Sequence, residues 1–405
     1  MADTTIIYID REGRRRNLSL EALKSELRIR AKREATFEAK TKPELFALLH
    51  KAVETGIVPV LFDPKMEVIA RKVRSLGIGG YEEGKSGSEL PEESYALFFT
   101  SGTTGVPTGA LKSRENIESE LDTLAGLFGE EGYERVIVTV PFIHIYGFLS
   151  GVMLPVRLGC EVLFKEEYWP QELLGLHESK KSLVVTSPIY IKSLLKLRRE
   201  EDLSNVTFLS STGLLLEEEV DAFEKKYNTR LVQLFGSTET GGIAFKQGAT
   251  PWWTPLTDVE VSQNSDGVMV VSSPHLSPYL FEETLHPMTQ PFTTSDIIEK
   301  EGKRFRLAGR LSEIVKISGK RIAIPEIEHL IEKELDVKEA LIRLERDSSR
   351  LKDERLMIEV VSDSKPEAAD VTALLKRYYP GINFVFELRR VESIEKNAMG
   401  KKVRR

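Results

Sequence analysis

The residues with the plainest chemical purpose are Thr100-Ser101-Gly102-Thr103-Thr104-Gly105-Val106-Pro107-Thr108-Gly109. Five hydroxyls and three glycines in ten positions suit neither a core nor a helix. Glycine lets successive N–H groups turn toward one point, and hydroxyls add short, rotatable donors. Such a concavity suits a polyphosphate. The segment follows the apolar run Tyr95-Ala96-Leu97-Phe98-Phe99 and lacks the Gly-Lys-Ser/Thr ending of a Walker-type ATPase loop.

A second constellation, Phe235-Gly236-Ser237-Thr238-Glu239-Thr240-Gly241-Gly242, follows the strand-like run Leu231 to Leu234. A carboxylate just past a glycine turn, here Glu239, can hold Mg²⁺, which prefers a few carboxylates plus phosphate oxygens. Phe235 offers a flat face for a base. Asp296, in Thr293-Thr294-Ser295-Asp296, stands fourteen residues before Arg310. An aspartate at such a turn could accept both hydroxyls of a ribose, with Arg310 supporting the same sugar. In isolation the pair reads as a turn cap and a surface ion-pair partner.

The segment Lys316-Ile317-Ser318-Gly319-Lys320 is a basic glycine turn, by itself a solvated hairpin. Gly400-Lys401 closes a last motif, and Lys402, Arg404 and Arg405 read as a solvated basic tail. His144 lies in the apolar context Pro141-Phe142-Ile143-His144-Ile145-Tyr146-Gly147, which is the setting of a satisfied core histidine that shapes or gates a pocket. Trp252 and Trp253 read as packing residues.

These groups need elements to position them. Strand-like runs at 6–9, 57–62, 136–140, 161–164, 182–186, 206–210 and 231–234 alternate with helical spacing, as at Leu20, Leu23 and Leu27 and over 45–53. That alternation predicts an α/β fold, a large N-terminal domain of β-sheets flanked by helices. Pro59 places the 57–62 strand at a sheet edge. From Asp258 to Ser273 short strands and polar turns predict a small barrel-like or antiparallel subdomain. A boundary at Gly309-Arg310-Leu311-Ser312 leaves domains 1–310 and 311–405. The second is a small α+β unit with helices at 325–335 and 368–378 and strands at 340–344 and 356–361.

The bulk numbers agree with two domains in 405 residues. A net charge of -6, with 41% hydrophobic and 30% charged residues, argues against a general nucleic-acid or anionic-membrane binder. The lone Cys160 excludes an intrachain disulfide and fits a reducing compartment. Charged residues from Asp10 to Arg16 interrupt any signal-peptide core, and no apolar run reaches the roughly 18 residues of a membrane span. A cytoplasmic protein is the expectation.

Taken together and in this order, the segments resemble the adenylate-forming superfamily of acyl-CoA synthetases, peptide-synthetase adenylation domains and beetle luciferases. The resemblance implies that Thr100, Ser101, Gly102, Thr103, Thr104 and Gly105 wrap the β- and γ-phosphates of ATP. It puts Thr238 near the α-phosphate, Glu239 on Mg²⁺, and Gly213, Phe235 and Gly236 around adenine. Asp296 and Arg310 hold the ribose, and Lys401 bridges substrate carboxylate and α-phosphate. After the mobile small domain swings about Ser312, Lys316, Gly319 and Lys320 face the incoming thiol of coenzyme A. An acid pocket follows among His144, Gly147, Gly241 and Gly242, small and apolar enough for an aryl or short-to-medium acyl group.

Several departures stand out. Thr108 occupies the place of the family's loop lysine, Ser312 replaces the usual hinge Asp or Lys, and Ser277-Pro278-Tyr279 replaces a glycine-tyrosine pattern. The phosphate loop also begins early, so the N-terminal region is compact. The reading is an ATP-dependent ligase that forms an acyl-adenylate from a small carboxylic acid and passes the acyl group to coenzyme A. The alternatives are transfer to an acyl-carrier protein, or a catalytically weak nucleotide-binding regulatory homologue.

Overall fold

The apolar runs Arg135–Val138, Ser182–Thr186 and Val206–Ser210 are buried at every residue, as parallel strands covered on both faces must be. They belong to a nine-stranded sheet in a computed structural model that describes residues 3–29, 34–75, 90–100, 108–282, 284–310, 314–317, 320–346, 354–364, 366–380, 382–396 and 402. The sheet order is Thr254–Pro255, Gly241–Gln247, Arg230–Ser237, Val206–Ser210, Ser182–Thr186, Arg135–Val138, Glu161–Lys165, Thr5–Ile9, Arg15–Ser19. The six strands from Arg230–Ser237 to Thr5–Ile9 run parallel. One face packs Ile137, Val184, Phe208 and Leu231 against Ile191, Leu194, Val220 and Phe223 of the helices Pro188–Leu195 and Glu217–Tyr227. Each such side chain contributes about 1.5–3 kcal/mol on burial.

Chain order reverses at Arg135–Val138. The next strand, Glu161–Lys165, lies on one side of it, and the one after, Ser182–Thr186, lies on the other. In such sheets the crossover loops diverge there and leave a crevice beyond the carboxyl ends of the strands.

A six-stranded sheet runs Leu285–Pro287, Tyr279–Phe281, Thr108–Ser113, Ser94–Thr100, Val58–Leu61, Glu34–Ala35. Here one expectation is corrected. Val58–Leu61, with Pro59 in it, is not an edge strand, because Glu34–Ala35 pairs outside it. The outer neighbour is only two residues long, so it needs few partners and tolerates the missing proline N–H. The helix Arg114–Phe128 starts from a capping box in which Ser113 and Asn116 exchange side-chain bonds.

The chain divides into two units, Met1–Val261 with Val271–Phe292, and Ser262–Val270 with Thr293–Arg405. The strands Phe292–Glu301 and Arg304–Arg310 pair antiparallel, and position 310/311 therefore falls within the second unit. That unit also holds the hairpin Ile314–Ile317/Lys320–Ala323 and a three-stranded sheet, Glu339–Arg346, Glu354–Val361 and Phe386–Arg390. The helices Ile324–Glu334 and Ala368–Tyr378 cover it through Ile327, Ile331, Val371 and Leu375. Among the described residues no helix is long and apolar enough to cross a membrane.

Candidate active site

At the crevice, Thr139 Oγ1 meets Thr186 Oγ1 at 2.9 Å, joining the carboxyl end of the reversal strand Arg135–Val138 to that of its neighbour Ser182–Thr186. The buried Tyr146 hydroxyl donates to Leu209 O at 2.7 Å, with Thr186 O at 3.0 Å, and burial pushes its pKa well above the ordinary phenol value. This pins the segment after Arg135–Val138 over the neighbouring strand ends. Gly147 opens a π-helical stretch, Gly147–Met153, and a Cβ there would overlap Pro141 O. Its lack of a side chain is a packing requirement of the turn. Gly213 differs, since a Cβ there would meet only Pro188 Cγ at 3.4 Å.

Along one face the strand ends turn polar. Ser210 is paired in register with Gln233, and Gln233 with Lys246. Gln233 is 3% exposed, yet among the described residues neither its amide nitrogen nor its amide oxygen has a partner, and Ser210 Oγ and Thr212 Oγ1 are likewise unpaired. Thr212 also holds a φ of 76°, a left-handed conformation that β-branched residues rarely adopt. Strain and unpaired buried polar groups together mark a place prepared for a ligand. Two residues from Gln233 on the same strand stands Phe235, half-buried, its ring 5.5 Å from Trp253. Sequence reading missed Gln233 because one glutamine in an apolar strand carries no motif.

The Glu239 turn is tightly built. Thr240 Oγ1 accepts from Ser237 N at 3.0 Å, and Glu239 O accepts from Ser277 N at 2.8 Å. A Cβ on Gly236 would overlap Gly241 O, and one on Gly241, at φ 68°, would overlap Glu120 Oε2. Glycine is required at both positions for close approach. Among the described residues the Glu239 side chain has no hydrogen-bond or ion-pair partner, so its carboxylate is available to a cation; Thr238 beside it is half-buried. No group of three His, Cys, Asp or Glu that could hold a metal occurs among the described residues. That donor set fits a Mg²⁺ shared with phosphate oxygens and water.

Beneath the turn lie two residues that sequence reading did not single out. Lys112, fully buried, donates to Glu239 O at 3.2 Å and His275 O at 2.7 Å. Burial brings its pKa down to about 8, against the opposing pull of Glu120 and Glu239. Glu120, 6% exposed, accepts from Gly242 N at 2.7 Å through Oε1.

Thr100 ends its strand in register with Thr108, so the two ends of the glycine–hydroxyl loop are held together. Positions 101–107 themselves lie outside the described residues, as do 311–313, Ser318, Gly319 and Lys401. His144 departs from the satisfied core histidine expected. Its Nε2 is buried without a partner among the described residues, and burial lowers its pKa, opposed by Asp63. Within the second unit, Asp296 sits inside a strand rather than at a turn, opposite Arg310 in register, with Arg310 Nε donating to Asp296 Oδ1 at 2.7 Å. Lys316 and Lys320 fall on the two strands of the Ile314–Ile317/Lys320–Ala323 hairpin.

A parallel sheet with a reversal crevice, a glycine–hydroxyl loop and a lone carboxylate turn defines a nucleotide-binding α/β enzyme. Residues 15–281 match the family model described as AMP-binding enzyme. The chain is 26% identical over 319 residues to 4-coumarate–CoA ligase from Halorhodospira halophila, covering 75% of this chain and 74% of that one. It is 26% identical over 349 residues to a long-chain-fatty-acid–CoA ligase from Bacillus subtilis, of whose length it spans 61%. O-succinylbenzoate coenzyme A synthetase from Bacillus subtilis, in complex with ATP and magnesium ion, shares the fold with a TM-score of 0.80 at 18% identity. That similarity covers 99% of this chain and 96% of the other. The chain belongs to the AMP-binding enzyme family, the adenylate-forming superfamily that its motifs resemble.

Proposed function

We propose that the chain is an AMP-forming acid–thiol ligase that uses ATP and Mg²⁺ to activate a small carboxylic acid and then transfers the acyl group to coenzyme A. The observation that carries this reading is the buried amide of Gln233, without a partner among the described residues, on the strand that bears Phe235 and leads into the Glu239 turn. An adenine edge offers the donor and acceptor that such an amide can take as a pair. Phe235 supplies the flat face, and Gly213 leaves room beside it.

In the first reaction the acid's carboxylate attacks the α-phosphorus of ATP, and pyrophosphate leaves. Both reactants are anions, and unit charges 4 Å apart repel by about 4 kcal/mol at an effective dielectric near 20. Mg²⁺ supplies charge neutralisation when bound, and Glu239 is the side chain that would hold it. Thr238 lies beside the α-phosphate, and the loop from Thr100 to Gly105 surrounds the outer phosphates. Lys401 neutralises the carboxylate as it approaches, a preorganised charge of the kind that dominates many active sites. Asp296 and Arg310, already paired, carry the ribose contact. A pivot at 311–313 then exchanges Lys401 for the Lys316 to Lys320 hairpin, and the thiol displaces AMP.

His144, Gly147, Gly241 and Gly242 border the acid's pocket; Gly147 does so by keeping the chain close to Pro141 rather than by touching substrate. A free acyl-carrier protein is the alternative acceptor. A cytoplasmic setting completes the reading, in keeping with the single, buried Cys160. The test is a panel of carboxylic acids assayed for pyrophosphate release with and without coenzyme A. Acid-dependent release, with a thioester only when coenzyme A is present, is expected. No release with any acid, alongside ATP binding, overturns it in favour of a regulatory nucleotide binder.

A further inference from the structure

We propose that Lys112 and Glu120 are positioning residues for the metal–polyphosphate site, fixing the main chain at Glu239 and at Gly242 just after it. This rests on the reading of Glu239 as the Mg²⁺ carboxylate.

The strand Thr108–Ser113 is buried from Gly109 to Ser113, and a lysine in its interior is costly unless its ammonium is fully engaged. Among the described residues Lys112 forms no ion pair; it donates to two main-chain carbonyls, Glu239 O and His275 O. Ser277 N also binds Glu239 O, so that carbonyl is held from two directions. On the far side of the turn, Glu120 Oε1 takes Gly242 N, while His275 Nδ1 lies 2.9 Å from Gly242 O. The main chain at Glu239 and at Gly242 is thereby tied to the strand Thr108–Ser113, to the Arg114–Phe128 helix and to the loop at 274–277. Asn116 extends the tie by donating to Pro274 O at 2.7 Å, and Thr123 meets His275 Nε2 at 3.4 Å.

The charges balance locally, since Glu120 is the buried anion nearest in effect to the Lys112 cation. Backbone carbonyls alone would be served by any donor; a long, charged one reaches two at once from a neighbouring sheet. The arrangement holds the backbone that carries Glu239, whose carboxylate has no partner among the described residues. Lys112 is no substitute for the loop lysine missing at Thr108, because its ammonium is committed to those carbonyls.

The experiment compares Lys112→Met, Lys112→Arg, Glu120→Gln and Glu239→Gln in the full chain by calorimetric titration with AMP without metal and with ATP at saturating MgCl₂. Lys112→Met is expected to weaken Mg-ATP binding about tenfold and leave AMP binding within about twofold, with partial recovery in Lys112→Arg. Glu120→Gln is expected to act in the same direction by about threefold, and it decides the matter if Lys112→Met does not fold. Equal losses for AMP and Mg-ATP, or no loss of Mg-ATP, in Lys112→Met or its stand-in would overturn the proposal. If Glu239→Gln itself leaves Mg-ATP affinity intact, the role given to Glu239 fails first, and the proposal with it.

Discussion

Replacing Gln233 by leucine separates stability from binding. In the ligand-free fold its amide is 3% exposed with both ends unpaired. A buried polar group left unsatisfied carries a penalty of about 1–3 kcal/mol. Leucine has nearly the same volume and no polar atom, so Gln233→Leu is expected to stabilise the free protein by about that amount. For a unit of this size, about 2 °C of melting temperature accompanies each kcal/mol, giving a rise of roughly 2–6 °C. Binding moves the other way. Loss of a two-point amide contact to a base is worth about 1–3 kcal/mol, so AMP affinity is expected to fall by about 5-fold to 150-fold. Thermal melts without ligand and calorimetric titration with AMP read the two effects on one sample. A variant that melts lower than the parent refutes the unpaired state of the amide, and unchanged AMP affinity refutes its contact with the base.

Acid should unfold the protein partly through His50, whose pKa burial pushes down to about 4 against the hydrogen bond with Val152 O. The unfolded imidazole takes a proton near pH 6.5 and the folded one refuses it, so stability is full above that pH and is lost as pH falls toward 4. Denaturant titrations should show about 2 kcal/mol lost through this residue between pH 7 and pH 5, a loss absent in His50→Gln. Lys401→Ala should slow acyl-adenylate formation by about 10²–10³-fold and spare thioester formation from supplied acyl-adenylate; equal decline of both half-reactions would remove Lys401 from its role. Gly147→Ala, which drives a Cβ into Pro141 O, should destabilise by about 1–3 kcal/mol or more in denaturant titrations. Gly213→Ala should leave stability unchanged and weaken AMP binding, the opposite pattern in the same pair of assays.

The elements and motifs were legible because their signals are local. Ser182–Thr186 and Val206–Ser210 end where their apolar runs end, and Ala368–Tyr378 spans its helical spacing from first residue to last. The glycine–hydroxyl loop and the Phe235 to Glu239 segment could be proposed as nucleotide contacts because their chemistry is written in adjacent residues. The edge position assigned to Pro59 failed because a strand's neighbours are chosen by distant sequence, here by Glu34–Ala35. Gly147 offered room for a pocket in sequence; in three dimensions that room is filled by the Pro141 carbonyl.

By itself the amino-acid order determined the strands and the helices and marked the segments proposed to seek phosphate and metal, since periodicity and turn chemistry act over a few residues. Only the tertiary structure decided which buried polar groups are satisfied and which are left open. Lys112 meets carbonyls 127 and 163 positions away, Glu120 meets an amide 122 positions away, and the Gln233 side-chain amide has no hydrogen-bond partner among the described residues. A hydrogen bond depends on where two atoms stand in space, and that distance is absent from the chain until it folds.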